Sequence, residues 1–532
     1  MRLGPKVFFL MTLPALLTGI AFGQEKIDYE MINRIREESF ERSRVMEIAG
    51  DMCDVYGPRF SHSPAYKKAA QWARQKFEAF GLESRLEPYG EVGVGWECLY
   101  VSVHMHAPQY MPMIAYAKPY SRGTNGKIIS DIVPIDTKKI FSEPDLERFK
   151  GKLRGKIIFV VPKRLLTLNF RPDAVRLSKE ELDDMEELRI RPMEKAAAES
   201  ERNDQNPERD KIRQPLPPSE IEEFFEKEGV AAFVEPGGPQ GDAPMDKGKV
   251  VVSAGPPLQR GAVRPLPAVI VAVEHYNRVM RLLEKGLEVK MEIETRVNYD
   301  DQDLQDSNVM AELPGTDLKD EIVMIGGHYD SEPAGTGATD NAAGSAIVME
   351  AMRILKAVGA RPRRTIRAAL WGCEEAGHLG SKAYVKSHFA DPSTKEHRPD
   401  YDKLSVYLNV DWYGRFRGIY LQRNDLVRPI FEEWMRPFQD VGMTTLVPGN
   451  TGGTDHMSFV EAGLPGFQFV QDDLEFFTTT FHTNMDVYDR LVPEDLMQAS
   501  VVLAAFAYDA SMRDDKLPRT SNQMKNDRRW HK

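Results

Sequence analysis

A chain of 532 residues, 42% hydrophobic and 28% charged, has the composition of an ordinary globular protein and room for two or three domains. Its formal net charge of -11 argues against nucleic acid as a partner. Past the first two dozen residues no stretch is long and apolar enough to span a bilayer, so the mature chain is expected to lack a transmembrane segment.

Residues 1–23 read as an export signal. Arg2 and Lys6 supply the positive start, Val7 to Phe22 the apolar run, and Ala21-Phe22-Gly23 the small residues ahead of a cleavage before Gln24. A secreted or periplasmic protein is expected, with an uncleaved anchor as the alternative. The three cysteines, Cys53, Cys98 and Cys373, are too few and too scattered for a disulfide framework, and a Cys53–Cys98 bridge stays open. Cys373 reads as buried filler.

Apolar residues at helical spacing predict a helix from Asp28 to about Ala49, and Ser63-Pro64 opens a second that ends at Gly81. Trp96 to His106 reads as strand. Short strands follow at Lys156 to Val161, Ala231 to Glu235 and Pro267 to Ala272, then a helix over His275 to Lys285 and a strand over Gly286 to Val297. Between the first two of these, residues 164–227 form a charged, helix-prone excursion, expected to be a solvated surface. After Asp300 strands and helices alternate. Strands are predicted at Asn308 to Glu312, Glu321 to Gly326, Thr365 to Trp371, Leu404 to Val410 and Gly466 to Phe469, and helices at Asn341 to Val358, Gly380 to His388, Val427 to Phe438 and Pro493 to Ser511. The fold class is therefore α/β, a mostly parallel sheet with helices on both faces. The main domain is expected to be discontinuous, over 24–119 and 299–515, with a smaller insert at 120–298 and a polar tail at 516–532.

Five possible metal ligands stand at strand ends and loops of the second half. His328 follows the strand Ile322 to Ile325 and two glycines, and strand ends are where open α/β sheets place ligands. Asp330, two residues on, suits the role of orienting that imidazole. Asp340 precedes small residues that allow close backbone approach; alone it would read as a helix cap worth about 1 kcal/mol. Glu374 and Glu375 follow a buried strand, so one could bind metal while its neighbour faces a water. Asp411 ends another apolar strand, where an acid seldom serves packing. His482 lies in a polar loop with Asp486 as a possible orienting partner, and the loop Gly452 to His456 could bind substrate or serve structural hydrogen bonds. Two imidazoles and three carboxylates can hold two divalent cations, with one carboxylate shared.

At Gly326-Gly327-His328-Tyr329-Asp330-Ser331, Gly337 to Gly344, Glu374-Glu375, Asn409-Val410-Asp411 and Phe481-His482-Thr483 the chain resembles the M28 family of co-catalytic zinc exopeptidases. Tyr56-Gly57-Pro58-Arg59 is similar to the family's secreted aminopeptidase and plasma glutamate carboxypeptidase type, and the insert looks like a protease-associated domain. The resemblance implies two Zn2+ and a peptide substrate. It also implies Asp340 as bridging ligand, His328 and Asp411 completing one site, Glu375 and His482 the other, Glu374 as general base and Asp330 as support. Aminopeptidase is the expected activity, with dipeptidase, carboxypeptidase and a non-catalytic receptor-like ectodomain as alternatives. The M20 peptidases place their extra domain after the Glu-Glu pair rather than before His328. Glutaminyl cyclases work with one zinc, which a full two-metal ligand set does not favour.

Overall fold

A computed structural model of the chain describes residues 25–188, 214–238, 247–262 and 266–519. The expected export signal, residues 189–213 of the charged excursion and the tail beyond 519 lie outside the described residues.

Two eight-stranded sheets organise the fold. The centre of the first is parallel, with Arg364–Trp371, Leu318–His328, Leu404–Asn409 and Gly466–Gln471 side by side. Antiparallel strands flank it: Glu83–Glu91 and Gln305–Leu313 on one side, Phe416–Tyr420 on the other, followed by Thr445–Val447 at the far edge. The sheet is thus mixed: parallel through its four central strands, antiparallel where these meet their flanking strands, and parallel again in the last pair at the far edge. Alternation along one strand explains both layers. Val323 and Ile325 face helices Pro64–Ala79, Ala343–Ala357 and Pro493–Met512, while Ile322 and Met324 face helices Leu379–His388 and His456–Glu461.

The second sheet is built from Gly95–Ala107, Met111–Pro112, Ala115–Ala117, Ile128–Pro134, Ile157–Phe159, Ala232–Gly237, Ala268–Ala272 and Lys290–Asp300. It takes in Gly95–Ala107, ahead of residue 120 where the sequence placed the insert's start. That strand pairs over most of its length with Lys290–Asp300, the closing strand of the insert. A two-residue periodicity marks a strand but not the sheet it joins, and long-range pairing decided the boundary.

Part of the charged excursion docks onto the first sheet, while Leu165, Leu168 and Phe170 are exposed as a solvated segment's would be. Leu177, Leu182 and Met185 pack against Val447 and Val470 at the rim of the first sheet. Val175 bridges to Leu474, and Arg176 lies 2.8 Å from both Asp472 and Asp495, two fully buried carboxylates. Three apolar residues in a run of charges are enough to dock it.

Candidate metal centre and catalytic cleft

Strand ends of the first sheet bring the sequence-selected residues together. His328 closes the central strand Leu318–His328, and the Gly-Gly pair before it is sterically required. A Cβ on Gly327 would stand 2.4 Å from the Val410 carbonyl oxygen, and one on Gly344 would stand 2.5 Å from that same oxygen. The strand ends carrying His328 and Asp411 therefore pack backbone to backbone.

Helix Ala343–Ala357 begins later than the sequence suggested. Asp340 has extended backbone angles (φ -131°, ψ 89°) and does not cap it; the Asn341 side chain accepts from Gly344 N–H at 3.0 Å and donates to Val410 O at 2.9 Å. Asp340 is thereby left free to reach both imidazoles. Its Oδ1 is 3.1 Å from His328 Nε2 and its Oδ2 is 3.4 Å from His482 Nε2. Asp411 lies 3.4 Å from His328 Nε2, and Glu375 lies 3.0 Å from His482 Nε2.

The outer nitrogens of both imidazoles are held. His328 Nδ1 donates to the Asp330 carbonyl at 3.1 Å, and His482 Nδ1 is 2.8 Å from Ser253 Oγ. Both contacts turn Nε2 toward the carboxylates, and the carbonyl at His328 also fixes the tautomer a metal ligand needs. Asp330 orients His328 chiefly through its backbone, since its carboxylate is 3.6 Å from Nδ1. That carboxylate instead accepts the N–H groups of Glu374 and Glu375 at 3.0 and 3.3 Å and the Ser61 hydroxyl, so it fixes the turn carrying the two glutamates. Asp486 is not the partner of His482. It accepts from Thr339 N–H at 2.6 Å and Asp340 N–H at 3.2 Å, and so sets the Asp340 backbone.

Burial and crowding shape the charges. Burial and the Glu375 carboxylate push Asp340 up to about 6, against the pull of His328. Burial also drives Glu374 well above the ordinary carboxylate range, helped by Asp411 and Glu375 and opposed by His328. At His482 burial pulls down, but Glu375 and Asp340 outweigh it and hold the ring near 10. Cys373 is buried, and burial pushes its thiol well above the usual value, a setting for filler rather than for a nucleophile. Cys53 and Cys98 are also free thiols, so the open bridge between them is absent.

Five carboxylates, Glu332, Asp340, Glu374, Glu375 and Asp411, crowd around three imidazoles, His328, His378 and His482, and two sets of them, His328–Asp340–Glu375 and Glu332–Glu375–His482, bring ligand atoms within 4.8 Å of one another. Glu375 Oε1 is buried without a hydrogen-bond partner. Such an excess of buried anionic oxygens is costly unless cations neutralise it, and the mixed N and O donor set suits zinc.

The centre opens into a cavity of about 400 Å3. Trp412, Phe476, Phe477 and Phe481 form an apolar wall, Gly452, Gly453 and Thr454 a polar one, and Glu374 and His378 face the space between. His378 Nε2 is 3.0 Å from Glu374 Oε1, a contact the sequence spacing of four could have suggested. Ser253 and Glu332 were missed for a different reason. Ser253 lies in the segment Val250 to Ala254, which clasps the His482 loop: Val252 N–H donates to His482 O at 2.9 Å, and Val251 pairs with Thr483. Ala254 N–H donates to Glu332 at 2.9 Å. No local sequence pattern records contacts between segments so far apart.

Residues 308–507 match the model for peptidase family M28. Carboxypeptidase Q of Mus musculus is 31% identical over 261 residues, 48% of this chain and 53% of the relative, so the chain spans about half the length of such curated relatives. Among solved structures, a peptidase M28 precursor from Shewanella amazonensis superposes with a TM-score of 0.62 at 23% identity, covering 92% of this chain and 98% of that one. BSAP, a zinc aminopeptidase from Bacillus subtilis, superposes with a TM-score of 0.53 at 18% identity, covering 91% and 99%. At these identities the two structures establish the shared fold.

Proposed function

We propose, from the M28 peptidase domain that residues 308–507 of this chain carry, that the protein is a binuclear zinc exopeptidase acting at the amino terminus of peptides. His328 and Asp411 would hold one cation, Glu375 and His482 the other, with Asp340 shared. Bound zinc would supply Lewis-acid polarisation of the scissile carbonyl and lower the pKa of the attacking water. Glu374 takes that water's proton on its carboxylate and returns it to the departing amine. Asp330 keeps Glu374 in place through its N–H, and the aromatic wall excludes bulk water and receives an apolar side chain.

The observation that carries the choice of terminus is the lining of the cleft. It contains Asp340, Glu374, Glu375 and Asp411 but, among the described residues, no Lys or Arg. A free substrate carboxylate therefore finds no guanidinium or ammonium to pair with in the cleft, which disfavours recognition of the carboxy terminus. Carboxypeptidase remains the second reading, favoured by the name of the 31% identical relative. Turnover of free, N-blocked and C-blocked dipeptides separates the two: the N-blocked substrate should be inert and the C-blocked one cleaved, and the reverse pattern would reject the aminopeptidase reading.

The insert expected at 120–298 is read as protease-associated-like from the apolar runs Val230 to Val234 and Pro267 to Val271, which fall in neighbouring strands of the second sheet. The leader at 1–23 supports export to the periplasm or medium, and no helix among the described residues is long and apolar enough to cross a membrane. Mass spectrometry of the mature amino terminus should find Gln24; an intact Met1 would contradict export by cleavage.

A further inference from the structure

We infer that Glu332 is an additional ligand of the cation site formed by Glu375 and His482, an assignment that rests on the two-metal reading above. Glu332, Glu375 and His482 each offer a ligand atom, and the three atoms lie within 4.8 Å of one another. The side chain is fixed as a ligand's should be. It is 6% exposed, its Oε1 accepts from Ala254 N–H at 2.9 Å, and its Oε2 is buried with no hydrogen-bond partner.

The alternative is a plain structural anchor for the insert, and it accounts for one oxygen only. An anchoring carboxylate buried this deeply should satisfy both oxygens, or be replaced by an amide at lower desolvation cost. Glu375 Oε1 is likewise buried and unpartnered, and each of the two acids offers an oxygen within 4.8 Å of a His482 ring nitrogen. A shared cation satisfies both. The clasp explains how Glu332 is held there: Ser331 N–H donates to Arg59 O at 3.1 Å on one side, and Ala254 pins the carboxylate on the other.

The two sites then differ. One has His328, Asp340 and Asp411; the other shares Asp340 and adds Glu375, His482 and Glu332. The extra carboxylate makes the second site more anionic, and it should bind more tightly and tolerate oxygen-preferring cations such as Mn2+ better than the first.

Metal-free protein titrated with Co2+, followed by calorimetry and by visible absorption of the bound ion, tests the assignment without reference to turnover. Wild type should take up two ions. Glu332→Gln keeps an oxygen for Ala254 N–H, so the fold and the clasp persist, and thermal melting of the metal-free forms checks this. The variant should show one of the two affinities weakened about tenfold or more, with a changed spectrum for that ion and the other unaffected. Two unchanged affinities and an unchanged spectrum would overturn the ligand role and leave the anchor. Should Glu332→Gln fail to fold, Glu332→Asp, which keeps the charge but withdraws it by one methylene, carries the same comparison. Wild type binding no Co2+ would overturn the two-metal reading itself, a result distinct from failure at Glu332 alone.

Discussion

Arg59 is a fully buried guanidinium whose four hydrogen bonds all go to main-chain carbonyls, and replacing it should unfasten the loop that carries His328, Asp330 and Asp340. Its Nε lies 2.7 Å from Tyr329 O, its Nη1 2.9 Å from Thr336 O and 3.2 Å from Met52 O, and its Nη2 2.8 Å from Gly337 O. Bonds from a charged donor contribute about 1.5–3 kcal/mol each, so the four would sum to roughly 6–12 kcal/mol if they were independent. They are not, and taking the guanidinium out of water costs several kcal/mol of that. Arg59→Met fills a similar volume, admits little water and strands the carbonyls, so a loss of about 3–5 kcal/mol is expected. Arg59→Lys keeps the charge but not the planar fork, and should lose less, about 2 kcal/mol. Urea unfolding followed by circular dichroism measures both. Buried ionic groups are sometimes replaced by apolar ones with a gain in stability. A methionine variant as stable as wild type would therefore refute the idea that these carbonyls repay the buried charge.

Glu374→Gln should fold and bind metal normally yet lose about 10²–10⁴ in kcat, measured on a C-blocked dipeptide; near-native turnover would remove Glu374 from the base role. Phe477→Ala should lower kcat/KM for substrates with a large apolar residue by about 10–200-fold and spare those with alanine, because it opens the aromatic wall; equal losses on both would mean that the wall does not select. Burial, together with the Glu25 and Asp28 carboxylates, raises Asp509 well above the ordinary aspartate value. Because the folded state holds that proton more tightly than the unfolded chain, its contribution is fullest below about pH 4 and is lost as pH rises through the folded value, by up to about 1.4 kcal/mol per pH unit. Asp509→Asn should consequently be more stable than wild type at pH 8 and show a flatter dependence; parallel stability curves for the two proteins would disprove this. Removing metal with a chelator should lower the melting temperature, and zinc at about 1,000 times its Kd should restore roughly 4 kcal/mol; no response in either direction would count against a metal centre.

The central elements were legible because continuous apolar runs coincide with burial on both faces, as at Ile322 to Ile325 and along Pro493–Met512. Rim strands were not. Glu83–Glu91 and Thr445–Val447 are polar or very short, and only pairing with Gln305–Leu313 and Phe416–Tyr420 makes them strands. At the site the sequence supplied residue types and their order, and the chain folds them within reach of one another. It misled where a side chain has two uses. Asp340 has the type and position of a helix cap, yet it is Asn341 that accepts the Gly344 N–H of the first turn, and Asp486 serves the Asp340 backbone rather than His482. Glu332, Ser253 and Arg59 act across separations of about 80 to 270 residues, where spacing carries no information.

The clasp of Val250 to Ala254 on the His482 loop also sets an order of assembly. His328 and Asp411 are positioned by neighbouring strands of one sheet, so they can gather as that sheet forms. His482 depends on Ser253, which is 229 residues away and must arrive with the second sheet. Closing so long a loop is slow relative to local structure. During refolding, one cation should therefore bind early and the other only after the insert has docked. Stopped-flow Co2+ absorbance should resolve two phases, and Ser253→Ala should alter the second alone. A single phase would mean that the two halves of the centre close together.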